Sequence, residues 1–436
     1  MRLNQLSLGF WSASGVPSYT LRVFFSFLLL YTFLLLYVRS HSSRDPGSAF
    51  FDSSSAYDLS YSAVRLEQAT TYIDAVNNEE VSQIPQPPHR PEFCLGIATI
   101  ARNGVRYFKS TVGTVVEGLS DVERANIQLI LFIAHTDPSQ HPAYAEPWLH
   151  QVADRVLLYN ASEVDVDHIR ELESDEAKIA AREKALFDYA YLLKACKQVG
   201  APYTIILEDD VVALDGWYHR THDAVISADQ KTKEMGVSNW LYLRLFYTEE
   251  FLGWNSEEWP IYFLYSTLAV CTVACLLVGV RRYQLRFRPH IPNEIIFLLS
   301  LVCAPLLIGL NFAAGRVTVL PIPEGVHQMS KFGCCSQAFV FPQSRIDDLV
   351  DLYTSKRIGY VDMITEEFAN ANNEIRWALT PSVIQHVGRT SSKGNQNDLT
   401  KSKAEISEVG KLWNFEFELN DADSLRSDHE AANEHE

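Results

Sequence analysis

The clearest chemistry in the sequence comes from three consecutive acids, Glu208, Asp209 and Asp210, which follow the apolar run 203–207. Ligands bind beyond the carboxyl ends of strands in open α/β sheets, and hard divalent cations favour carboxylate oxygens and substrate phosphates. The triplet therefore predicts a site for Mg2+ or Mn2+ carrying a diphosphate. Asp210 is the first expected metal ligand, while Glu208 and Asp209 reach the metal, its waters or the ribose. A solvated turn with an acidic helix cap is the alternative.

A histidine in a later apolar run is a second candidate metal ligand. His386 follows Val383 and Ile384 and precedes Gly388, which places its imidazole at the mouth of the predicted sheet. An imidazole ligand suits Mn2+ better than the strictly oxygen-seeking Mg2+. The alternative is a histidine that is hydrogen-bonded within a loop.

Three residues are candidates for binding a nucleotide donor: Thr99 and the basic residues Arg102 and Lys184. Thr99 and Arg102 end the first predicted strand, and an arginine can pair bidentately with phosphate. Lys184, on a long predicted helix, could offset diphosphate charge. A surface arginine that caps the next turn, and a solvated helix face with Glu183 and Asp188, are the alternatives.

These residues lie in an alternation of apolar runs and helical patterns, typical of an α/β domain with a largely parallel sheet. Before residue 260 the pattern predicts strands over 93–101, 127–134, 155–159, 203–207 and 240–247, and helices over 107–119 and 175–199. After residue 314 it predicts a strand over 338–341, helices over 345–356 and from 362, and an apolar run over 383–387. The domain is thus predicted in two parts, 92–260 and 315–394, joined by an insertion.

The insertion contains two of the three uncharged apolar blocks in the sequence. Residues 23–38 form an apolar block near the N-terminus, and 261–280 and 295–314 form two more that are separated by a short loop. Because roughly 20 apolar residues span a bilayer core, we predict an N-terminal anchor and a two-helix membrane hairpin. A cleaved signal peptide is the alternative for the first block, and buried core helices are the alternative for all three.

Charge predicts the orientation of these helices. The loop 281–294 contains Arg281, Arg282, Arg286 and Arg288, and arginine-rich short loops face the cytosol. The tail 1–22 is then also cytosolic, and both parts of the α/β domain are lumenal. The sequon at Asn160 falls on the lumenal side, as a glycosylation site requires.

Composition excludes some partners and leaves other features open. The net charge of −17 would repel a phosphate backbone, so no nucleic-acid partner is expected. The cysteines form no C-x-x-C pair and no array at zinc spacing, which gives no support for a structural zinc site. The lumenal cysteines are even in number, and their pairing stays open; they are Cys94, Cys196, Cys334 and Cys335.

Two further segments flank the predicted domain. Residues 39–91, rich in serine, tyrosine and acids, are predicted to form a lumenal stem with some helix. Residues 395–436 are polar and acidic, with a possible strand over 413–419 and a disordered acidic tail over the last eighteen residues.

The chain resembles the Golgi family that adds N-acetylgalactosamine to glycosylphosphatidylinositol (GPI) anchors, over residues 93 to about 394. The resemblance rests on IATIAR (97–102), REK (182–184) with DY (188–189), LEDDV (207–211), LRLFY (243–247), YVDM (360–363) and PSVIQHVG (381–388). It implies a GT-A domain, a type of glycosyltransferase fold, split by a transmembrane hairpin. In several GT-A enzymes a C-terminal histidine completes the metal shell, as His386 would here.

The resemblance also implies a reaction. UDP-N-acetylgalactosamine (UDP-GalNAc) would be the donor and a GPI mannose the acceptor, with inversion at the anomeric carbon, in the Golgi membrane. GPI-anchored proteins or the GPI glycolipid would be the partners. A GT-A transferase acting on N-glycans is the first rival, and a polytopic transporter or receptor subunit is the second. The second is disfavoured because the apolar blocks contain no ionisable residue.

The acceptor side has its own candidates. Glu249, Glu250 and Trp254 precede the second membrane block and could contact sugar hydroxyls, or serve as interfacial anchors. Inverting transfer needs a base separate from the metal ligands, and Asp362 is the candidate. An ordinary N-cap of the helix that follows Asp362 is the alternative, with Glu366 four residues later.

Overall fold

The chain divides into two compact units. The computed structural model describes residues 18–78, 90–102, 106–175, 177–329, 334–388 and 410–434. Among these, the residues up to Asp52 and Leu252–Pro321 form a first unit, and Ser53–Phe251 with the residues from Ile322 onward form a second.

The first unit consists mainly of apolar helices. Its helices are Ser18–His41, Trp259–Tyr283, Asn293–Leu298, Ala304–Ala313 and Arg316–Val319, with a π-helical turn at Leu299–Cys303. Three stretches of the described chain are long and apolar enough to cross a bilayer, and they coincide with the three predicted apolar blocks. Large side chains such as Leu29 and Phe33 are 76% and 72% exposed, as lipid-facing residues are. The protein is therefore a membrane protein.

The second unit is built on an eight-stranded mixed sheet with strand order β3-β2-β1-β4-β8-β6-β9-β7. The strands are β1 Phe93–Thr99, β2 Ile127–Ile133, β3 Arg155–Leu157, β4 Tyr203–Leu207, β5 Val211–Ala213, β6 Tyr242–Arg244, β7 Gly325–Gln328, β8 Ala338–Pro342, β9 Arg376–Thr380 and β10 Ile384–His386. The order from β3 to β4 is parallel throughout. β5 and β10 form a separate antiparallel pair.

Helices cover both faces of the sheet. They are Tyr61–Asn77, Tyr107–Val116, Asp121–Ala125, Pro147–Val152, Val166–Ser174, Lys178–Val199, Trp217–Glu234, Ile346–Lys356, Val361–Asn372 and Ala422–Asn433. Successive strand residues point to opposite faces, so Leu95 and Ile97 of β1 join one core cluster and Cys94 joins the other. The fold class is the predicted α/β type, with the domain interrupted by the inserted helices.

The insertion point lies between β6 and β7, yet one sheet forms. β8, which follows the insertion, pairs antiparallel with β4, so that Leu207 lies opposite Ala338. β8 also pairs antiparallel with β6. The expectation of a largely parallel sheet is therefore correct from β3 to β4 and for the pair of β6 with β9, whereas the pairs made by β8 and β7 are antiparallel. A buried strand is apolar throughout in either direction, so the pattern could not reveal this reversal.

Two disulfides settle the pairing of the four cysteines that lie outside the apolar blocks. Cys94 of β1 bonds to Cys196 on the helix Lys178–Val199. Cys334 bonds to its neighbour Cys335, directly before β8.

The segment predicted as a stem contains a helix that belongs to the α/β unit. Arg65 of the helix Tyr61–Asn77 is fully buried. Its guanidinium donates to the carbonyls of Ala213, at 3.1 Å, and Thr114, at 2.8 Å, and pairs with Glu117. These bonds tie the helix to the middle of the domain.

The predicted strand over 413–419 is wrong. The described chain forms turns and a 3₁₀ helix at Phe417–Leu419 instead. The alternation of Trp413, Phe415 and Phe417 suggested a strand, but the first two rings pack against Tyr57 and are held by aromatic contacts rather than by strand pairing.

The prediction of a disordered tail is wrong for residues 419–434. The helix Ala422–Asn433 packs on the domain through His429, which lies between two carboxylates, and through Arg426, which pairs with Glu117 and Asp215. An acidic composition suggested disorder, but the buried partners of these cations come from distant parts of the chain.

Candidate active site

The acidic triplet begins where β4 leaves the sheet. Its first member, Glu208, is held by the segment that leads into β8: the backbone N–H of Glu208 donates to the Gln337 carbonyl at 2.9 Å, and the Ser336 hydroxyl donates to Oε1 of Glu208 at 2.6 Å. Asp209 and Asp210 are each only 5% exposed. The triplet is thus a buried, ordered cluster, which excludes the solvated-turn alternative.

Thr99, at the end of β1, and Arg102, shortly after it, both contact the triplet. The Thr99 hydroxyl donates to Oδ2 of Asp209 at 2.6 Å. The Arg102 guanidinium donates to Asp209 and, at 3.1 Å, to Oδ2 of Asp210. Arg102 therefore balances buried acid charge, and the alternative of a surface arginine capping a turn does not hold.

His386 reaches the same cluster from β10. It lies opposite Val211 in the two-stranded sheet, and its Nε2 is 3.7 Å from Oδ2 of Asp210. Its other ring nitrogen, Nδ1, lies 3.1 Å from the Leu412 carbonyl. Because a carbonyl can only accept, Nδ1 carries a hydrogen, and Nε2, which faces Asp210, is the ring atom that can take up a proton or a metal ion.

The space between these two side chains suits a cation. A Cβ added to Gly388 would overlap with both Oδ2 of Asp210 and Nε2 of His386, so glycine keeps this space open. Oδ1 of Asp210 is buried, and no described residue donates a hydrogen bond to it. A carboxylate and an imidazole around a gap, with an orphaned carboxylate oxygen, fit a divalent cation.

The surroundings of the cluster shift the pKa values of its acids in opposite directions. Burial raises the pKa of Asp209 to about 7 despite the charge of Arg102. Burial also acts on Asp210, but His386 and Arg102 outweigh it and lower the pKa of Asp210 to about 2. Burial would lower the pKa of His386, whereas the Asp210 carboxylate raises it above its ordinary value. Asp210 is therefore charged at neutral pH, whereas Asp209 is close to its pKa there.

Lys184 does not hydrogen-bond to the triplet. Its ammonium group donates to Asp188 at 2.8 Å, to the Ala134 carbonyl at 2.7 Å and to the Tyr159 hydroxyl at 3.0 Å. It is only 8% exposed, so the solvated helix face does not describe it either. The structure gives it a buried ion pair near the end of β2.

Asp362 lies beside the segment that holds Glu208. Its Oδ2 accepts a hydrogen bond from the backbone N–H of Cys335 at 3.2 Å. The helix Val361–Asn372 has Tyr360, not Asp362, at its N-cap position. The alternative in which Asp362 is the cap residue is therefore wrong, and the carboxylate is half-buried on the side where β8 begins.

The predicted acceptor residues belong to different units: Glu249 and Glu250 to the α/β unit and Trp254 to the membrane unit. Glu249 is buried and accepts from the Glu416 N–H at 3.1 Å, whereas Trp254 belongs to the membrane unit. The indole N–H of Trp254 donates to the Phe312 carbonyl at 3.1 Å, as expected of an interfacial anchor. Glu250 is half-buried, with its backbone N–H bonded to the hydroxyl of Thr248.

The sequon asparagine is exposed. The Oδ1 atom of Asn160 accepts from the Ser162 hydroxyl at 2.9 Å, within a surface turn. This position leaves Asn160 accessible to a glycosylating enzyme.

Sequence reasoning missed His141, a second histidine of the site. Its Nε2 lies 3.1 Å from the Thr99 hydroxyl that binds Asp209. Burial, aided by the charges of His135 and Arg106, lowers the pKa of His141 to about 4. His141 lies in a loop between short 3₁₀ helices, where no periodic signal marks it. Ser336 and Gln337 were missed because their place beside Glu208 depends on the antiparallel pairing of β8.

Comparison with known proteins gives a family and distant relatives. The model of the family described as GPI-N-acetylgalactosamine transferase PGAP4 matches residues 93–385. The chain is 23% identical over 165 residues to an alpha-1,6-mannosyl-glycoprotein 4-beta-N-acetylglucosaminyltransferase of Gallus gallus, across 36% of this chain and 34% of that protein. A match of 42 residues, 48% identical, covers 10% of the chain and 34% of the fluoride-specific ion channel FluC of Pseudomonas syringae pv. syringae (strain B728a). The chain thus spans about a third of the length of these curated relatives.

Proposed function

Because the chain belongs to the GPI-N-acetylgalactosamine transferase PGAP4 family, we propose that it transfers N-acetylgalactosamine from UDP-GalNAc, with inversion, to a mannose of GPI glycans. It is a glycosyltransferase embedded in a membrane. The observation that carries the donor proposal is the gap between Asp210 and His386, because a cation there would suit a nucleoside diphosphate. The donor, the acceptor and the Golgi membrane as its location are proposals.

The metal would be held by Asp210 and His386, with Mn2+ favoured over Mg2+ because one ligand is an imidazole. When bound, the cation would stabilise the charge that develops on the departing diphosphate. Glu208 and Asp209 would reach the cation, its waters or the ribose. Arg102, already beside both aspartates, would pair with phosphate oxygens.

The contacts of Thr99 favour a role in donor binding more than those of Lys184 do. Thr99 orients Asp209 through its hydroxyl and lies at the end of β1, where a nucleotide would bind. The charge of Lys184 is balanced by Asp188, so a direct phosphate contact would require that pair to open.

Asp362 would act as the base on the acceptor side. As the acceptor oxygen attacks the anomeric carbon and the sugar–phosphate bond breaks, the hydroxyl proton would pass to the Asp362 carboxylate. The backbone N–H of Cys335 orients that carboxylate without protonating it. Glu249 and Glu250 are further proposed sugar contacts, whereas the contacts of Trp254 favour an anchor.

The membrane helices suit a GPI acceptor, because a GPI glycan lies close to its lipid. We expect the N-terminus and the loop 281–294 to be cytosolic and Asn160 to be lumenal. A tag inserted after Arg288 should be labelled when only the plasma membrane is permeabilised, and Asn160 should carry a glycan. Labelling of the loop only from the lumen would overturn the arrangement.

Mass spectrometry of GPI glycans from cells with and without this gene tests the function. Loss of a side-chain HexNAc supports the proposal, whereas loss of a hexose would redirect the donor assignment. Loss of HexNAc from N-glycans alone would favour the rival, to which the similarity with the Gallus gallus enzyme lends support. UDP-GalNAc hydrolysis by the purified protein, with and without Mn2+, separates a transferase from a transporter.

A further inference from the structure

A second group of metal-ligand side chains lies in the α/β unit and shares no residue with the candidate active site. Glu123, His219 and His429 each place one ligand atom within 4.8 Å of the others. Glu123 is fully buried, His429 is 2% exposed and His219 is half-buried. The three residues come from separate helices, the last of which is the C-terminal helix Ala422–Asn433.

His429 lies between two carboxylates. Its Nδ1 is 2.7 Å from Oδ1 of Asp215, and its Nε2 is 2.9 Å from Oε2 of Glu123. Asp215 has only acceptor oxygens when ionised, so it fixes a hydrogen on Nδ1. The lone pair of Nε2 then faces a second carboxylate. That approach is stable only if a proton or a metal ion lies between Nε2 and Glu123.

His219 distinguishes between these two occupants. The rings of His219 and His429 have centroids 5.3 Å apart. The Nδ1 atom of His219 is buried and lacks a hydrogen-bond partner among the described residues. A proton on His429 leaves this nitrogen unused, whereas a metal ion would use it.

The backbone also makes room for this ring. Gly216 has φ +73°, and a Cβ there would overlap with the imidazole of His219. The positive φ favours glycine, and the missing side chain lets His219 turn back towards His429.

We propose that Glu123, His219 and His429 bind a structural Zn2+ that fastens the C-terminal helix to the domain. Two imidazoles and one carboxylate are ordinary zinc ligands, and a water would complete a tetrahedral shell. Asp215 would be the outer carboxylate that fixes the tautomer of His429, as in carboxylate–histidine–zinc sites. The Glu123 carboxylate would bind the metal while it still accepts the capping hydrogen bond from the backbone N–H of Ser120.

The competing occupant is a proton. Burial would lower the pKa of His429, but Asp215 and Glu123 raise it to about 9, so a protonated His429 would also hold the helix. Arg426 adds ion pairs to Glu117 and Asp215 in either case. A zinc ion would need His219 as a ligand, whereas a proton on His429 would not.

Metal analysis of the full-length protein, purified in detergent and dialysed against metal-free buffer, tests the proposal. We expect about one zinc per chain that survives dialysis, and its loss in His219→Ala. A strong chelator should lower the melting temperature of the wild type by several degrees and leave that of His219→Ala unchanged. His222→Ala, which removes another imidazole from the same helix, should behave like the wild type.

Asp210→Ala serves as the second control, because it alters the proposed donor metal site but should keep the zinc. A wild-type protein that binds no zinc when Zn2+ is titrated into it, or a His219→Ala variant that retains the zinc, would overturn the proposal. If only a proton lies at His429, chelator and His219→Ala will both leave the melting temperature unchanged. Zinc content and melting are measured without substrate, so failure here is separate from failure of the transferase proposal.

Discussion

Oδ2 of Asp210 lies 3.7 Å from Nε2 of His386, although the membrane hairpin separates the two residues in sequence. The pairing of β5 with β10 produces this contact, since Val211 lies opposite His386. The chain therefore completes its candidate metal site only after it has passed through the inserted helices. A functional site can survive such an insertion because strand register, rather than chain proximity, sets the positions of its residues.

Asp210→Asn should reduce transfer by more than tenfold and weaken the dependence on Mn2+. The substitution keeps the side-chain volume but removes the charge that would hold the cation. Transfer rate against Mn2+ concentration is the measurement, with the exposed Asp351→Asn as control. His386→Gln should give a smaller loss, because a neutral ligand offsets less charge. Retention of more than about a tenth of the activity, roughly 1.4 kcal/mol of barrier, would argue that Asp210 is not a ligand.

Gly388→Ala should abolish metal-dependent donor binding while folding persists. The added methyl group would overlap with Oδ2 of Asp210 and Nε2 of His386, so it would fill the proposed cation position. Binding of UDP with and without Mn2+, followed by calorimetry, is the measurement. Gly253→Ala is the matched control, because its Cβ would meet only Gly47, at an ordinary 3.8 Å. Unchanged Mn2+-dependent binding in Gly388→Ala would move the cation elsewhere.

The strand ends that bring Thr99, Arg102 and the acidic triplet together could be predicted from the sequence because their signals are local. An apolar run followed by acids marks the end of β4, and Thr99 ends β1, its parallel neighbour, with Arg102 shortly after it. The carboxyl ends of parallel strands lie at the same edge of a sheet, so these side chains had to meet. The environment of Asp362 could not be predicted in this way, because it depends on Cys335 and the antiparallel register of β8.

The cluster of Glu123, His219 and His429 could not be found from spacing at all. Sequence patterns of zinc sites rely on ligands only a few residues apart within one motif. Here the ligands come from three distant helices, and the C-terminal one was expected to be disordered. The C-terminal helix docks through buried charged side chains. The sequence does not show which charges are buried, because each is buried against a partner from a distant part of the chain.

His141 should make the stability of the fold sensitive to mild acid. Its pKa is about 4 in the folded state, below its ordinary 6.5, because it is buried near His135 and Arg106. The unfolded chain therefore binds a proton more readily, and stability falls as the pH drops from 6.5 towards 4. The melting temperature of His141→Gln should fall less over this range than that of the wild type. The exposed His150→Gln is the control, and parallel curves for wild type and His141→Gln would contradict the assignment.

Asp362 is the candidate base, and its surroundings separate that role from a structural one. Its Oδ2 accepts from the N–H of Cys335, and its Oδ1 lies 2.9 Å from the N–H of Met363. An asparagine can still accept these bonds through its amide oxygen, so Asp362→Asn should change the melting temperature little. An asparagine cannot take a proton, so a base predicts a fall in turnover on the order of a hundredfold or more.

The experiment compares Asp362→Asn with Glu367→Gln, which changes an exposed acid on the same helix. Turnover with a saturating GPI acceptor, UDP affinity and melting temperature are measured for both variants. The base assignment requires that only turnover falls, and only in Asp362→Asn, because donor binding does not use this carboxylate. Near-normal transfer by Asp362→Asn would move the search to Glu249 and Glu250. Glu366 is a poorer choice, since its carboxylate is already paired with Arg244 and Arg376.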